Sequence, residues 1–263
     1  QPFLTVPDAE AYQPGQTPAL IQDNGQLATS AWAEGTLGHF VTIRGKQDNR
    51  LQLSKPLRMP FDSSRNPRLR RIQWKQHTGV ECLKLIRQGA TNQQTSNIAF
   101  RYAQNCWVQG VESYRCNFSH VEVSKSQHVA VRGSYFHHAF GYGGGGQAYG
   151  VTLHLTTGQC KVANNIFERL RHGMLLQASA NANVLAYNYS IDPYKANFPN
   201  SFTGDLVLHG NYPYANLFEG NTIQTIAIDA SHGINGPHNT FFRNRALLYG
   251  LYMSQNPASD SQN

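Results

Sequence analysis

CWVQGV at 106–111, VAVRGS at 129–134, CKVANN at 160–165, NVLAYN at 183–188, NLFEGN at 216–221 and NTFFRN at 239–244 are six copies of one pattern. Each opens on Cys, Val or Asn, carries an apolar residue two positions on, and closes on Asn, Ser or Val three further along. The copies start 23, 31, 23, 33 and 23 residues apart. The basic period is therefore 23, with eight extra residues in one repeat and ten in another. A fixed period of this length marks a solenoid. After each pattern a bend leads to a second short run: HVEVS (120–124), GVTLH (150–154), GMLLQ (173–177), DLVLH (205–209), TIAID (225–229) and GLYMS (250–254). These alternate as strands with one face in a core. In register, the inward pairs are Val121 and Val123, Val151 and Leu153, Met174 and Leu176, Leu206 and Leu208, and Ile226 and Ile228. No segment sustains a helical period for ten residues. The chain thus reads as all-β, a right-handed parallel β-helix with 23-residue rungs.

Two Asn columns fit the same register. Asn183, Asn216 and Asn239 share one, and Asn165, Asn188, Asn221 and Asn244 the other. Stacked amides can bond up and down the solenoid and satisfy the backbone at its bends. Cys106 and Cys160 occupy one column with Val129 between them. Rungs about 4.8 Å apart separate the pair by about 10 Å, beyond the reach of a disulfide. Both are expected to be buried free thiols, and the spacing of the four cysteines matches no zinc motif.

Residues 1–78 read as an N-terminal arm and irregular cap over the end of the solenoid, and residues 79–263 as the β-helix. Within the arm, HFVTIRG (39–45) and RLQLSKPL (50–57) predict a β-hairpin across KQDN. SSRNPRLRRIQWK (63–75) is the densest positive stretch. Asn263 falls 24 residues after Asn239 with no polar cap beyond it. That suggests a repeat cut short, or an open end offering self-association with another chain. Gln1 is not Met and no basic-then-apolar leader precedes it, which fits a secreted mature chain.

Only 14% of residues are charged, yet the net charge is +7, so anionic partners are favoured. No nucleic-acid motif, apolar span or lipid-binding amphipathic helix is present, so nucleic acid and membrane insertion are not expected. An acidic polysaccharide is the partner that remains.

Both extra-length segments, HHAFGYGGGGQAYG (137–150) and IDPYKANFPNSFTG (191–204), enter just ahead of the second strand. They flank the rung carrying RLRHGMLLQ (169–177), and such extra length marks a binding face. Tyr142, Tyr149, Tyr194, Phe198, Tyr212 and Tyr214 offer aromatic faces suited to sugar stacking. The residues ending the second strands, Ser124, His154, Gln177, His209 and Asp229, form a polar column. Arg171, His172, Tyr149 and Asp205 gather at the strands' other end. A carboxylate beside His209 would fix its tautomer.

The strand and Asn-bend rungs over 79–253 resemble the pectate-lyase-like superfamily of right-handed parallel β-helices, which includes polysaccharide lyases, some glycosidases, epimerases and phage tailspikes. FGYGGGGQAYGVTLH (140–154), DLVLHGNYPYANLFEGN (205–221) and SHGINGPHNTFFRNRA (231–246) are similar to secreted bacterial β-helix proteins. The chain departs from the family in lacking the Asp cluster of the calcium-dependent pectate lyases and the paired Asp of the polygalacturonases. The expected function is a polysaccharide lyase performing β-elimination on a uronate, with Ca2+ the cofactor such chemistry could recruit. Elimination needs a group to neutralise the carboxylate, a base and an acid. Arg171 with Gln177 is the expected neutraliser, His154 or His209 the base and Tyr149 the acid. His172, Tyr142, Asp205 and Asp229 are the further expected substrate contacts. The alternatives are a glycosidase using two of Glu122, Asp205 and Asp229, and a non-catalytic glycan-binding or self-assembling protein.

Overall fold

A computed structural model describes residues 2–196 and 203–253. The repeats wind into a parallel β-helix with three faces. The first face stacks Ile98–Arg101, Ser119–Ser124, Tyr149–His154, His172–Leu176, Leu206–Leu208 and the end of Thr222–Ile228. The second stacks Lys84–Ile86, Glu112–Cys116, Tyr135–Ala139, Ile166–Glu168 and Tyr189–Ile191. Thr222–Ile228 pairs with a strand of each, so these two faces are one continuous curled sheet. The third face begins with Lys75–Gln76 and Gly79–Glu81. It continues through Ala103–Gln109, Gln127–Arg132, Lys161–Ala163, Val184–Ala186, Leu217–Glu219 and Thr240–Phe242.

The register is that of the 23-residue pattern. Val121 opposes Val151, Val151 opposes Met174, Met174 opposes Leu206 and Leu206 opposes Ile226. All five expected inward pairs lie in one buried cluster with Cys106, Val129 and Cys160. Burial of each such aliphatic side chain contributes roughly 1.5–3 kcal/mol. All four cysteines are free thiols, and burial pushes those of Cys116 and Cys160 up to about 12.

Left-handed residues recur in columns at the corners of the rungs, two of which flank the third face. Gly110, Gly133, Asn164, Tyr187, Gly220 and Arg243 hold one, with φ of 54–62°. Asn105, His128, Gln159, Ala182, Ala215 and His238 hold the other, at 52–64°. For a non-glycine this costs roughly 1–2 kcal/mol, and in the later rungs the Asn that follows offsets it. The backbone N–H and Nδ2 of Asn188 both donate to Oδ1 of Asn221, at 3.0 and 2.9 Å, while its Nδ2 also reaches the Val162 carbonyl at 3.0 Å. Asn165, Asn221, Asn183 and Asn216 repeat this geometry.

The arm departs from expectation in two ways. The hairpin is Ile43–Gln47 with Arg50–Leu53, whereas Gly38–Phe40 leaves it to pair with Ala19–Ile21. Nor does the arm cover the end of the solenoid, where Leu83 and Ile86 of the first rung stay exposed. It lies instead along the corner between the first and third faces. There Thr156 donates to the Thr36 carbonyl, Asn181 to that of Gly38, and the Thr29 amide to Asn211. The reason is polar: these corners carry orphan amides and hydroxyls that need partners. The basic stretch is partly consumed in the arm, with Arg68 on Asp23 and Arg65 on Asp62, while Arg70 and Arg71 remain exposed. Asn263, and with it the expected self-associating end, lies outside the described residues.

Candidate functional site

The first face ends in the expected polar column, which Arg101 extends by one residue. Arg101 registers with Ser124 and Ser124 with His154. Gln177, His209 and Asp229 follow strand positions that are themselves in register. A cleft of about 530 Å³ runs along this column. His154, Gln177, His209 and Tyr149 line it together, and Asp229 reaches it through His209.

Two imidazole–carboxylate pairs are built into its floor. His209 Nδ1 lies 2.5 Å from Asp229 Oδ2, and Asp229 Oδ1 accepts from the Ser231 amide at 2.7 Å. Burial alone would raise the Asp229 carboxyl, but the His209 hydrogen bond and charge together with Ser231 hold it far below the usual carboxylate range. Asp229 is therefore ionised, and with His209 Nδ1 directed at it, Nε2 is the ring nitrogen left to meet a ligand. His154 Nε2 lies 3.0 Å from Glu122 Oε1, and Glu122 Oε2 accepts from Ser96 at 2.9 Å. Burial opposes ionisation of Glu122, yet the bonds from His154 and Ser96 leave its pKa lowered. The other nitrogen of His154, Nδ1, is buried without a partner. Of the two histidines, His209 is the one whose second nitrogen is not closed in.

The glycine loop finishes the wall. Gly146 sits at φ 70°, a left-handed conformation that favours glycine, and a Cβ there would press on the end of the Gln94 side chain. Its amide donates to the Tyr149 hydroxyl oxygen at 3.0 Å, which leaves the phenolic O–H free to donate into the cleft. The two insertions do meet: the Ala196 amide donates to the Tyr142 carbonyl at 3.4 Å, and Tyr142 and Tyr194 pack edge to face at 4.9 Å.

Several expected site residues stand elsewhere. Arg171 is behind Tyr149, its guanidinium 5.7 Å from that ring and bonded to the Gly144 carbonyl. It braces the loop and is not among the residues that line the cleft, where the expected neutralising role would require it. His172 is buried between Tyr149 and His209, its Nδ1–H directed at the Gly204 carbonyl at 2.7 Å, and burial drives its pKa well below the ordinary value. Asp205 is a backbone clamp, fully buried and accepting from Thr225 and Gln224 amides at 2.7 and 2.8 Å. It cannot be a substrate contact. Tyr142 donates to the Arg169 carbonyl and accepts from the Ala139 amide, fixing the root of the loop. Tyr212 and Tyr214 are buried under the arm, and Phe198 lies outside the described residues.

Trp32, Arg101, Phe118 and His232 also line the cleft. Arg101 lies 23 residues before Ser124, so extending the column by one period finds it. Trp32, half exposed, packs its edge on His232 at 5.7 Å and comes from the arm, which no periodicity places.

The residues present do not fit calcium. The two carboxylates at the cleft are each engaged by an imidazole, and among the described residues no group of three or more His, Cys, Asp or Glu could hold a metal ion.

No protein-family profile and no curated protein sequence matches the chain. Solved structures similar to it include the tailspike protein gp49 from Pseudomonas phage LKA1, with TM-score 0.47 and 11% identity over 87% of this chain. Another is the Gp54 tailspike of Acinetobacter baumannii bacteriophage AP22 in complex with A. baumannii capsular saccharide, with TM-score 0.37 and 9% identity over 100% of this chain. The chain corresponds to 42% and 61% of the lengths of those two proteins.

Proposed function

We propose that the cleft binds an acidic polysaccharide and cleaves it by β-elimination, with His209 as the base. The observation carrying this reading is the His209–Asp229 pair, an imidazole held by an ionised carboxylate in the cleft floor. His209 Nε2 takes the proton from the carbon next to the sugar's carboxylate. The electron pair forms a double bond to the neighbouring carbon as its bond to the glycosidic oxygen breaks. That oxygen takes a proton from the Tyr149 hydroxyl. Gln177, next to His209 in the column, donates to the carboxylate. Arg101 lies four rungs from His209, about 19 Å, and holds the carboxylate of another sugar in the same chain. Trp32 and Phe118 give apolar faces for sugar rings. Secretion belongs to the same proposal, since such a polymer lies outside the cell.

Hydrolysis by a carboxyl pair is disfavoured on two counts. Glu122 and Asp229 stand four rungs apart, about 19 Å, whereas glycosidase pairs lie roughly 5–5.5 or 6.5–9.5 Å apart. Both also have lowered pKa values, whereas a glycosidase acid needs a raised one; Asp205, which burial does raise, is sealed from the cleft with its oxygens on the Gln224 and Thr225 amides. Mass spectrometry of the products separates the reactions. Elimination yields two fragments whose masses sum to that of the starting oligosaccharide, with one unsaturated end. Fragments that together gain one water, or no fragments, would defeat the lyase reading.

A further inference from the structure

A second groove, of about 730 Å³, lies on the other side of the arm. The corner that separates it from the cleft is covered, because Thr156 and Asn181 bond to the carbonyls of Thr36 and Gly38 there. Lys55, Arg58, His128 and Lys161 line this groove, and no acidic residue does.

Its cations lack counter-charges. Elsewhere Lys46, Arg68, Lys84, Arg169 and Arg243 each pair with a carboxylate. Among the described residues, no ion pair engages Lys55, Arg58 or Lys161. Arg58 is the telling case. Its guanidinium is largely withdrawn from water, so that burial lowers its pKa, and its partners carry no full charge: Asn181 Oδ1 at 3.0 Å, the Phe40 carbonyl at 3.4 Å and the Tyr214 hydroxyl. Lys55 reaches only the Gln159 amide oxygen, at 3.3 Å. A desolvated cation without an anion is costly, and a planar guanidinium in a groove that Lys55 and Lys161 also line suits a carboxylate.

We propose that this groove is a second binding site for the acidic glycan, with Arg58, Lys55 and Lys161 receiving its carboxylates. The proposal rests on the reading of the substrate as an acidic polysaccharide. A polymer held here and in the cleft is gripped on both sides of the arm, which raises its effective concentration at the cleft.

The test uses protein with 15N-labelled histidine, titrated with an oligogalacturonate, with neutral maltotetraose and with a single-stranded DNA oligomer of equal charge. His128 reports the groove, while His209 and His232 report the cleft. Oligogalacturonate is expected to shift the His128 resonance saturably where maltotetraose does not. Lys161→Glu, at an exposed position, is expected to weaken that response by roughly tenfold, and Arg58→Gln likewise. A static His128 while the cleft resonances move overturns the groove alone. A moving His128 with static cleft resonances supports the groove and overturns the cleft reading. Static resonances throughout overturn both. A saturable His128 response to DNA but not to oligogalacturonate overturns the assignment to a glycan.

Discussion

In the proposed elimination His209 serves as base only as long as Asp229 keeps it in one tautomer. Asp229→Asn preserves shape but lets the amide present either a donor or an acceptor to Nδ1. General acid–base groups contribute roughly 10²- to 10⁴-fold in rate. Both Asp229→Asn and His209→Ala are expected to lower kcat within that range on an acidic polymer, with binding of the polymer largely retained. A second residue-level effect is acid lability. Burial holds His39 and His120 at about 3, against about 6.5 in an unfolded chain. Below pH 6.5 the unfolded chain takes up protons that the native protein refuses, so stability falls from there toward pH 3. At pH 5 the loss is about 2 kcal/mol per histidine. Urea midpoints at pH 7 and pH 5 measure it, and His120→Gln should shrink the difference. Asp229, being depressed, adds to the loss only as pH falls below about 4.

At the scale of the strand and corner, the Asn columns were legible because one residue type recurs at one period. The ladder makes a graded expectation. Asn188 has a partner above and below, whereas Asn244 receives the bonds of Asn221 at the end of its column. Asn188→Ala leaves several buried groups unpaired, at about 1–3 kcal/mol each, and should lower the urea midpoint more than Asn244→Ala. Gly146→Ala strains a left-handed residue and strikes Gln94. It is expected to free the Tyr149 hydroxyl and reduce kcat more than it raises KM. The glycine run was readable as a close approach, but its partner was not, since Gln94 belongs to a different rung and sits in a polar loop with no pattern. Arg171 and Asp205 show the opposite limit. Sequence places them beside the loops correctly, but it does not show that their polar atoms are taken up by the Gly144 carbonyl and by the amides of Gln224 and Thr225.

For the whole molecule, periodicity conveys the solenoid and says nothing about the arm. The arm's place depends on single contacts across long separations, such as His39 with Tyr214 at 2.9 Å and Ser30 with His232 at 3.1 Å. Those contacts give the cleft one wall, divide it from the basic groove and carry Trp32 to its rim. The net charge of +7 fits an anionic polymer, and binding is expected to weaken as salt shortens the range of the attraction.

The most direct measurement follows the ultraviolet absorbance of an unsaturated uronate while wild-type protein and His209→Ala are incubated with a panel of acidic polysaccharides, with and without chelator. Absorbance is expected to grow with at least one polymer, to persist in chelator and to be nearly lost in His209→Ala. No absorbance with any of them, or equal rates from wild type and His209→Ala, would contradict the lyase reading.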